Sequence, residues 1–197
     1  MISRLRGILV TRDPGAVEVE TPGGVVYEVE VPVTVLERLP ARDSAVELRT
    51  VQVVTDNAVT LYGFIDDVER TLFQRLLTAS GVGGKLALAL MSAYRADRLA
   101  RAIVEKDLAA LQQVSGVGRK KAEKLVLDLA DKVADLAVSA PGGDAAPGGA
   151  GAQEAVKALV ALGYSFADAD HAVRQALEEG ASGAPADEIL RRALSYR

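Results

Sequence analysis

The sequence predicts a multidomain protein in which a β domain comes first and two helical domains follow. Three observations indicate this order. Short runs of alternating apolar and polar residues fill residues 1–64, and apolar residues recur at helical spacing from 65 to 138. A Gly-, Ala- and Pro-rich stretch at 139–152 then separates a last helical segment at 153–197. With 49% hydrophobic residues among 197, the chain has enough apolar side chains to build hydrophobic cores.

The composition excludes several kinds of site. The chain contains no cysteine, which excludes disulfide bonds, thiolate metal sites and cysteine catalysis. Its one histidine is His171, so any Ser-His-Asp triad or multi-histidine metal site would have to be built around it. No apolar run reaches the roughly 18 residues of a membrane span, and the first residues lack the layout of a secretory signal. We therefore expect a cytoplasmic protein with no membrane partner.

Residues 1–64 predict a small antiparallel β-barrel. Alternation at 17–20 and 27–31 indicates strands with one buried and one wet face. Residues 21–24, Thr-Pro-Gly-Gly, indicate a hairpin connection between those strands. Five or six short strands in a segment of this length favour an OB-like barrel. The apolar segments lie at 8–10, 17–20, 25–31, 46–48, 51–54 and 59–62.

From Asp66 onward the spacing of apolar residues is helical. Asp66 followed by Glu69 is typical of a capped helix start. The stretch 139–152 holds five Gly, five Ala and two Pro, so we expect a flexible linker there. Beyond it, three helices predict a small module similar to a ubiquitin-associated domain. The predicted helices are 66–78, 85–94, 97–105, 107–114, 119–136, 153–162, 166–179 and 186–196.

An internal repeat lies in the second segment. Residues 80–83 read Ser-Gly-Val-Gly, and the same four residues recur at 115–118, 35 positions later. Each copy follows an apolar helix end, opens a new helix and is followed two residues later by a lysine, Lys85 or Lys120. The pattern predicts a tandem helix-hairpin-helix. At such a helix start, unpaired N–H groups and the helix dipole together favour a phosphate oxygen.

The charge distribution supports this interpretation. The whole chain has a net charge of −4, but residues 65–138 hold 12 basic against 10 acidic residues, a net of +2. Cations in the first turns of a helix oppose its dipole, so a lysine cluster there favours a bound anion. The alternative is that the glycines only end one helix and begin the next. The candidate DNA-binding residues are Gly81, Val82, Gly83, Lys85, Gly116, Val117, Gly118, Arg119, Lys120, Lys121 and Lys124.

Other chemistry finds no support in the sequence. A Walker A loop ending at Gly84-Lys85 would need Gly at 79 and Ser or Thr at 86, where the chain has Ala79 and Leu86. Neither glycine cluster completes a dinucleotide-binding Gly-x-Gly-x-x-Gly. We find no catalytic constellation and no metal-ligand pattern. We therefore expect a non-catalytic protein that needs no cofactor.

Taken together, these motifs resemble the RuvA family of Holliday-junction branch-migration subunits. The resemblance covers nearly the whole chain except the linker. It rests on 1–7 (Met-Ile-Ser-Arg-Leu-Arg-Gly), 61–64 (Leu-Tyr-Gly-Phe), 69–73 (Glu-Arg-Thr-Leu-Phe), 80–89, 115–125 and 158–164 (Ala-Leu-Val-Ala-Leu-Gly-Tyr).

The resemblance implies a homotetramer that holds a four-way DNA junction open on a basic concave face. The barrel forms the centre of the tetramer, and the hairpins contact the DNA backbone without reading sequence. The last module binds the hexameric ATPase RuvB, which drives branch migration in recombination and repair. The resolvase RuvC is a further candidate partner. Whether one tetramer or two face-to-face tetramers enclose the junction, and whether a monovalent cation sits in the hairpins, stays open.

Two further sets of residues follow from the resemblance. The family usually places Arg-Glu-Asp before the Leu-Tyr-Gly-Phe strand, as an acidic pin at the junction crossover. Residues 55–57 here read Thr-Asp-Asn, so we expect a weaker pin in which Asp56 keeps the charge and Asn57 only the shape. Read alone, the pair is also a plain hairpin turn. The candidate RuvB contacts are Leu159, Leu162, Gly163 and Tyr164.

Two other functions stay open. Tandem helix-hairpin-helix units also occur as accessory domains of structure-specific repair nucleases, whose activity needs clustered carboxylates for metals. Alternatively, the barrel and the three-helix module both bind proteins, and the chain is a scaffold. An RNA ligand has little support, since Tyr94 is the one aromatic residue near the lysines that is suited to stacking on bases.

Overall fold

The computed structural model describes residues 1–138, 149–164, 166–177 and 184–195. The predicted order of a β-barrel, a tandem helix-hairpin-helix segment and C-terminal helices is confirmed. The strands are β1 (Arg4–Asp13), β2 (Ala16–Glu20), β3 (Val26–Glu30), β4 (Ala45–Thr55) and β5 (Ala58–Phe64). The helices of the described residues are α1 (Val33–Leu36), α2 (Asp67–Leu76), α3 (Gly84–Ala93), α4 (Ala96–Val104), α5 (Leu108–Gln112), α6 (Arg119–Val138), α7 (Gly149–Ala161), α8 (Phe166–Ala176) and α9 (Ala186–Ser195).

The five strands form a closed barrel in the order β1-β2-β3-β5-β4. The first half of β1 pairs with β4, and its second half pairs with β2. The register of the β1–β2 pair shifts between Leu9 and Thr11. A parallel contact between Glu30 and Tyr62 closes the ring. The alternation read from the sequence holds, since Val17 and Val19 are fully buried while Glu20 is exposed.

The barrel and the helices that follow share one hydrophobic core rather than having two. Tyr62 and Phe64, at the end of β5, pack against Phe73 of α2 with ring centroids 4.7 and 5.0 Å apart. Buried side chains continue from there through α3, α4 and α6. α7, α8 and α9 have a separate core around Leu159, Val173 and other small apolar residues. Of the helices described, none is both long and apolar enough to cross a bilayer.

A polar contact at the start of α2 joins the helical segment to the barrel segment, because Glu69 of α2 pairs with Arg38. As predicted, Asp66 accepts from the Glu69 N–H at 2.8 Å, and the Glu69 carboxylate accepts from the backbone N–H of residue 65 at 3.0 Å. The Glu69 side chain is buried, and Arg38 donates to it. Burial and the negative charge of Asp66 raise the pKa of Glu69, against the opposing effect of Arg38.

An additional helix and the start of α7 are the main differences from the sequence prediction. The short helix α1 was not predicted, because four residues are too few to show a helical spacing of apolar residues. Its Thr34 hydroxyl donates to the Met91 carbonyl of α3 at 2.8 Å. The predicted linker 139–152 is shorter than its composition indicates, because α7 begins at Gly149. Residues 139–148 of it lie outside the described residues, as do 178–179 and 196 of the predicted helix ends.

Packing explains why α7 extends into the glycine-rich stretch. Ala152 and Ala155 are buried in the core of the C-terminal module. A Cβ at Gly151 would lie 2.8 Å from the Ala184 carbonyl oxygen, so the small residue lets α7 approach the chain just before α9. Burial in the module stabilises a segment whose intrinsic helix propensity is poor.

Gly84, the first residue of α3, sets the distance between the barrel and the first hairpin. A Cβ at Gly84 would lie 2.2 Å from the hydroxyl oxygen of Tyr62 and 2.5 Å from its ring. Tyr62 is buried and held by Phe73, so it has little room to move away. At the neighbouring Gly83, by contrast, a Cβ would meet no atom within 4 Å.

We expect Gly84→Ala to lower the free energy of unfolding by about 1–3 kcal/mol, because the added methyl group overpacks the Tyr62 contact. The matched control is Gly83→Ser, at an extended N-cap position where serine is favoured. Its stability should stay within about 0.5 kcal/mol of the native chain. Urea denaturation measures both, and equal losses would contradict the proposed role of Gly84.

Candidate nucleic-acid interface

The first glycine hairpin connects α2 to α3. Gly81 adopts a φ of +78°, in the left-handed region that favours glycine. The Val82 side chain is buried, and its N–H donates to the Ala79 carbonyl at 3.2 Å. The Ala87 N–H donates to the Gly83 carbonyl at 3.0 Å, which is the first hydrogen bond of the new helix.

The second hairpin, between α5 and α6, repeats this geometry. Gly116 has a φ of +86°, and the Val117 N–H donates to the Val114 carbonyl at 3.0 Å. The Ala122 N–H donates to Gly118 at 2.9 Å. The repeat predicted from the sequence is therefore a repeat in three dimensions.

Both valines of the repeat are anchors rather than exposed contacts. Val82 and Val117 are 7% and 5% exposed, and both belong to the shared core. We predicted both as DNA-binding residues, but their side chains face inward and their N–H groups donate within the hairpins, so neither group is free to bind a phosphate. Each valine fixes its hairpin to the protein, and the flanking glycines form the tip.

The tips leave their backbone donors open. The first helical bond of α3 starts at the Ala87 N–H, so the amides from Gly84 to Leu86 have no intrahelical acceptor. The same holds for the three amides that follow Gly118. Neither Gly83 nor Gly118 has a positive φ, and a Cβ at either would meet nothing within 4 Å. The fold itself therefore requires no glycine at these two positions, and the missing side chains leave the backbone open to close approach.

The structure divides the predicted cations into two groups. Lys85, Lys120 and Lys121 form no salt bridge with any described residue. Arg119 lies 3.0 Å from the Glu123 carboxylate one turn along α6, and Lys124 donates to the Ser80 hydroxyl at 2.7 Å. Three ammonium groups beside open helix starts thus remain available for an anion.

The predicted pin lies at the tip of the β4–β5 hairpin. Thr55 pairs with Ala58, which leaves Asp56 and Asn57 as a two-residue loop. All side chains from 54 to 59 are exposed, including Val54 and Val59, so this hairpin extends away from the barrel.

The four predicted partner contacts have different surroundings. Leu159 is 1% exposed and belongs to the core of the module, so its side chain offers no free surface. Gly163 follows the last turn of α7 and has a φ of +96°. Its N–H donates to the Val160 carbonyl, and the N–H of Tyr164 donates to the Leu159 carbonyl, which is a Schellman motif. Tyr164 packs partly against the core, and Leu162 is 63% exposed. Of the four, Leu162 therefore offers the largest apolar surface to a partner.

Sequence reasoning missed some residues of this region. Ser80 and Asp128 hold the first hairpin to α6, and the only signal was the serine shared by both repeats. Gly84 was visible only as a third glycine after the repeat. Within the ranges that the structure describes, no three His, Asp or Glu side chains come together as a possible metal site.

An OB-like barrel joined to two matched glycine hairpins defines a tandem helix-hairpin-helix protein. Models of known families match the chain in the same three parts. Residues 1–63 match the RuvA N-terminal domain, 73–131 a SAM-like helix-hairpin-helix tandem, and 150–196 the RuvA C-terminal domain.

Comparison with individual proteins over most of their length identifies the same family. The protein called Holliday junction branch migration complex subunit RuvA in Gemmatimonas aurantiaca is 48% identical over 172 residues, 87% of this chain and 86% of its own. The protein of the same name in Alkalilimnicola ehrlichii is 44% identical over 181 residues, 86% of this chain and 86% of its own. The one in Salmonella schwarzengrund is 41% identical over 181 residues, 86% of this chain and 87% of its own. The chain belongs to the RuvA family.

Proposed function

We propose that this chain binds four-way DNA junctions through their backbones, without reading sequence, as the non-catalytic subunit of a branch-migration complex. The observation that carries this proposal is the pair of matched glycine tips. Gly83 and Gly118 leave open space that the fold does not require, beside unpaired amides and free lysines. The names of the relatives supply the junction as the substrate.

Phosphate recognition follows from the geometry of each tip. A phosphate oxygen approaching the helix start accepts from backbone N–H groups, and Lys85 or Lys120 adds a positive charge. None of these donors is placed to distinguish bases, so binding is indifferent to sequence. Neutralised phosphates release counterions, and affinity therefore falls as salt rises.

The parts of the chain divide the work. We assign tetramer formation and the pin to 1–64, DNA binding to 65–138, tethering to 139–152 and recruitment of the RuvB ATPase to 153–197. The separate core of the C-terminal module supports this division, because the module keeps its own packing while its partner moves. RuvC is a further proposed partner, and the proposed location of the complex is the cytoplasm.

The outer face of the barrel supports the proposed homotetramer. Ile8, Glu20 and Val26 lie in one row across β1, β2 and β3, and all three are exposed. Glu18 and Glu28 face each other across the same strands, and neither has a salt bridge with any other described residue. Two exposed apolar side chains on either side of Glu20, next to the unpaired Glu18 and Glu28, suit a second copy that presents cations. The number of copies is part of the proposal.

A charge-reversal experiment tests junction binding. We expect Lys85→Glu with Lys120→Glu to weaken four-way-junction affinity at least about tenfold, and to reduce the slope of log affinity against log salt by about 0.9 for each lost phosphate contact. The matched control, Lys106→Glu with Arg191→Glu, makes the same charge change at two exposed sites outside both hairpin sequences. Gel shifts on junction and linear duplex of equal length measure both.

Three results would contradict the proposal. The first is native affinity in the lysine variant, and the second is an equal loss in the control. The third is metal-dependent cleavage of the junction, which would instead favour the nuclease alternative. As a second arm, Gly83→Ser with Gly118→Ser should keep the fold but weaken binding, because each new side chain occupies the space in which a phosphate would lie.

Removal of the C-terminal module tests the division of labour. A chain ending at Val138 keeps the whole shared core, so it should bind junctions within about threefold of the native affinity. It should no longer stimulate the RuvB ATPase or branch migration. Leu162→Glu in the full chain is the matched point variant, because Leu162 is exposed and outside the module core. Loss of junction affinity on truncation would overturn the assignment.

Substitution of Asp56, the one acidic residue of the proposed pin, tests the role of this hairpin. Asp56 repels phosphate at the tip of an exposed hairpin, so Asp56→Ala should lower the preference for four-way junction over duplex and alter the rate of strand exchange. Asn57→Asp, which adds a second charge, should act in the opposite direction. Unchanged selectivity and rate in both variants would show that Asp56 and Asn57 form a turn only.

A further inference from the structure

One face of α6 holds the first hairpin in place. Asp135 accepts from Arg75 at 2.9 Å, and Lys132 donates to the Thr78 hydroxyl at 3.0 Å. One turn nearer the start of the helix, Asp128 accepts from the Ser80 N–H at 3.0 Å. One turn nearer still, Lys124 donates to the Ser80 hydroxyl at 2.7 Å. These side chains recur at intervals of about one helical turn and follow the chain from α2 to the tip.

The contact is asymmetric between the two hairpins. Ser115 is the repeat partner of Ser80, but no described residue forms a side-chain hydrogen bond with it. The second hairpin needs no such contact, because α6 begins at the residue that follows it. The same rigid helix therefore starts at the tip of the second hairpin and holds the tip of the first.

This arrangement fixes the spacing of the two tips. Along a helix the rise is about 1.5 Å per residue, so the distance from Gly118 to Asp128 is set by backbone geometry. Hydrogen bonds to charged groups are stronger than neutral ones, and both contacts to Ser80 involve a charged side chain. Ser80 itself adjoins Gly81 in the tip, so its position determines where the open amides point.

We propose that Ser80 and Asp128 are positioning residues for DNA binding, which hold the first hairpin at a fixed distance from the second so that both meet one duplex together. This inference rests on the proposed function. Neither residue is proposed to contact DNA, because Asp128 is an anion and the Ser80 hydroxyl accepts from Lys124. Their contribution is preorganisation, since a tip already in place loses less conformational freedom on binding.

Two measurements test the inference. The first needs no DNA: because the chain has no cysteine, spin labels on Lys85→Cys and Gln113→Cys report the distance between the tips of the full chain. Ser80→Ala with Asp128→Ala should broaden that distance distribution. The conservative pair Ser80→Thr with Asp128→Asn keeps a hydroxyl and an acceptor and should retain the native distribution.

The second measurement is junction affinity as a function of salt. The alanine pair should weaken binding about tenfold at every salt concentration with an unchanged salt slope, because no phosphate contact is lost. Lys120→Gln, which removes a proposed phosphate contact, should instead lower the slope by about 0.9. The conservative pair should bind like the native chain.

The outcomes separate the two proposals. A native distance distribution in the alanine pair, or a slope reduced as in Lys120→Gln, overturns the positioning role. Failure of the native chain to prefer junction DNA overturns the proposed function, and with it the role of the spacing in binding. In that case the distance measurement still decides whether Ser80 and Asp128 hold the first hairpin.

Discussion

The close contact between Tyr62 and Gly84 is the constraint on which the rest of the structure depends. It brings the end of the barrel against the first turn of α3, and the stacking of Tyr62 and Phe64 on Phe73 extends it into the helices. Barrel and hairpins consequently share a core. The position of the first glycine tip is fixed by this buried aromatic side chain together with Val82 and the hydrogen bonds from α6.

The glycines of the hairpins fall into three physical classes. Gly81 and Gly116 are required by their positive φ, and Gly84 by the Tyr62 ring. Gly83 and Gly118 are required by nothing inside the protein. The distinction between a glycine that serves the fold and one that serves a ligand is invisible in the sequence, where all five belong to similar motifs. It becomes clear only when the space around each Cβ position is known.

Much of the fold could be predicted from local pattern. The alternation of β2 and β3, the cap at Asp66 and Glu69, and the 35-residue repeat each depend on neighbours in sequence. Contacts between distant residues could not be predicted: the shared core, the burial of Leu159, and the two bonds of Ser80 to α6. The start of α7 at Gly149 belongs with them, since α9 and its preceding residues supply the packing. The sequence located the open tips correctly but could not separate Lys120 from the engaged Arg119 and Lys124.

Under the proposed function, the charge pattern of this chain also affects how a nucleic acid first approaches it. The molecule as a whole is an anion, so at long range it repels DNA from most directions. The ammonium groups at the hairpin tips make one direction attractive, within the roughly 8 Å that salt allows at physiological strength. In the proposed complex, a duplex that approaches from another side is therefore turned away, and productive collisions are selected by orientation before any hydrogen bond has formed.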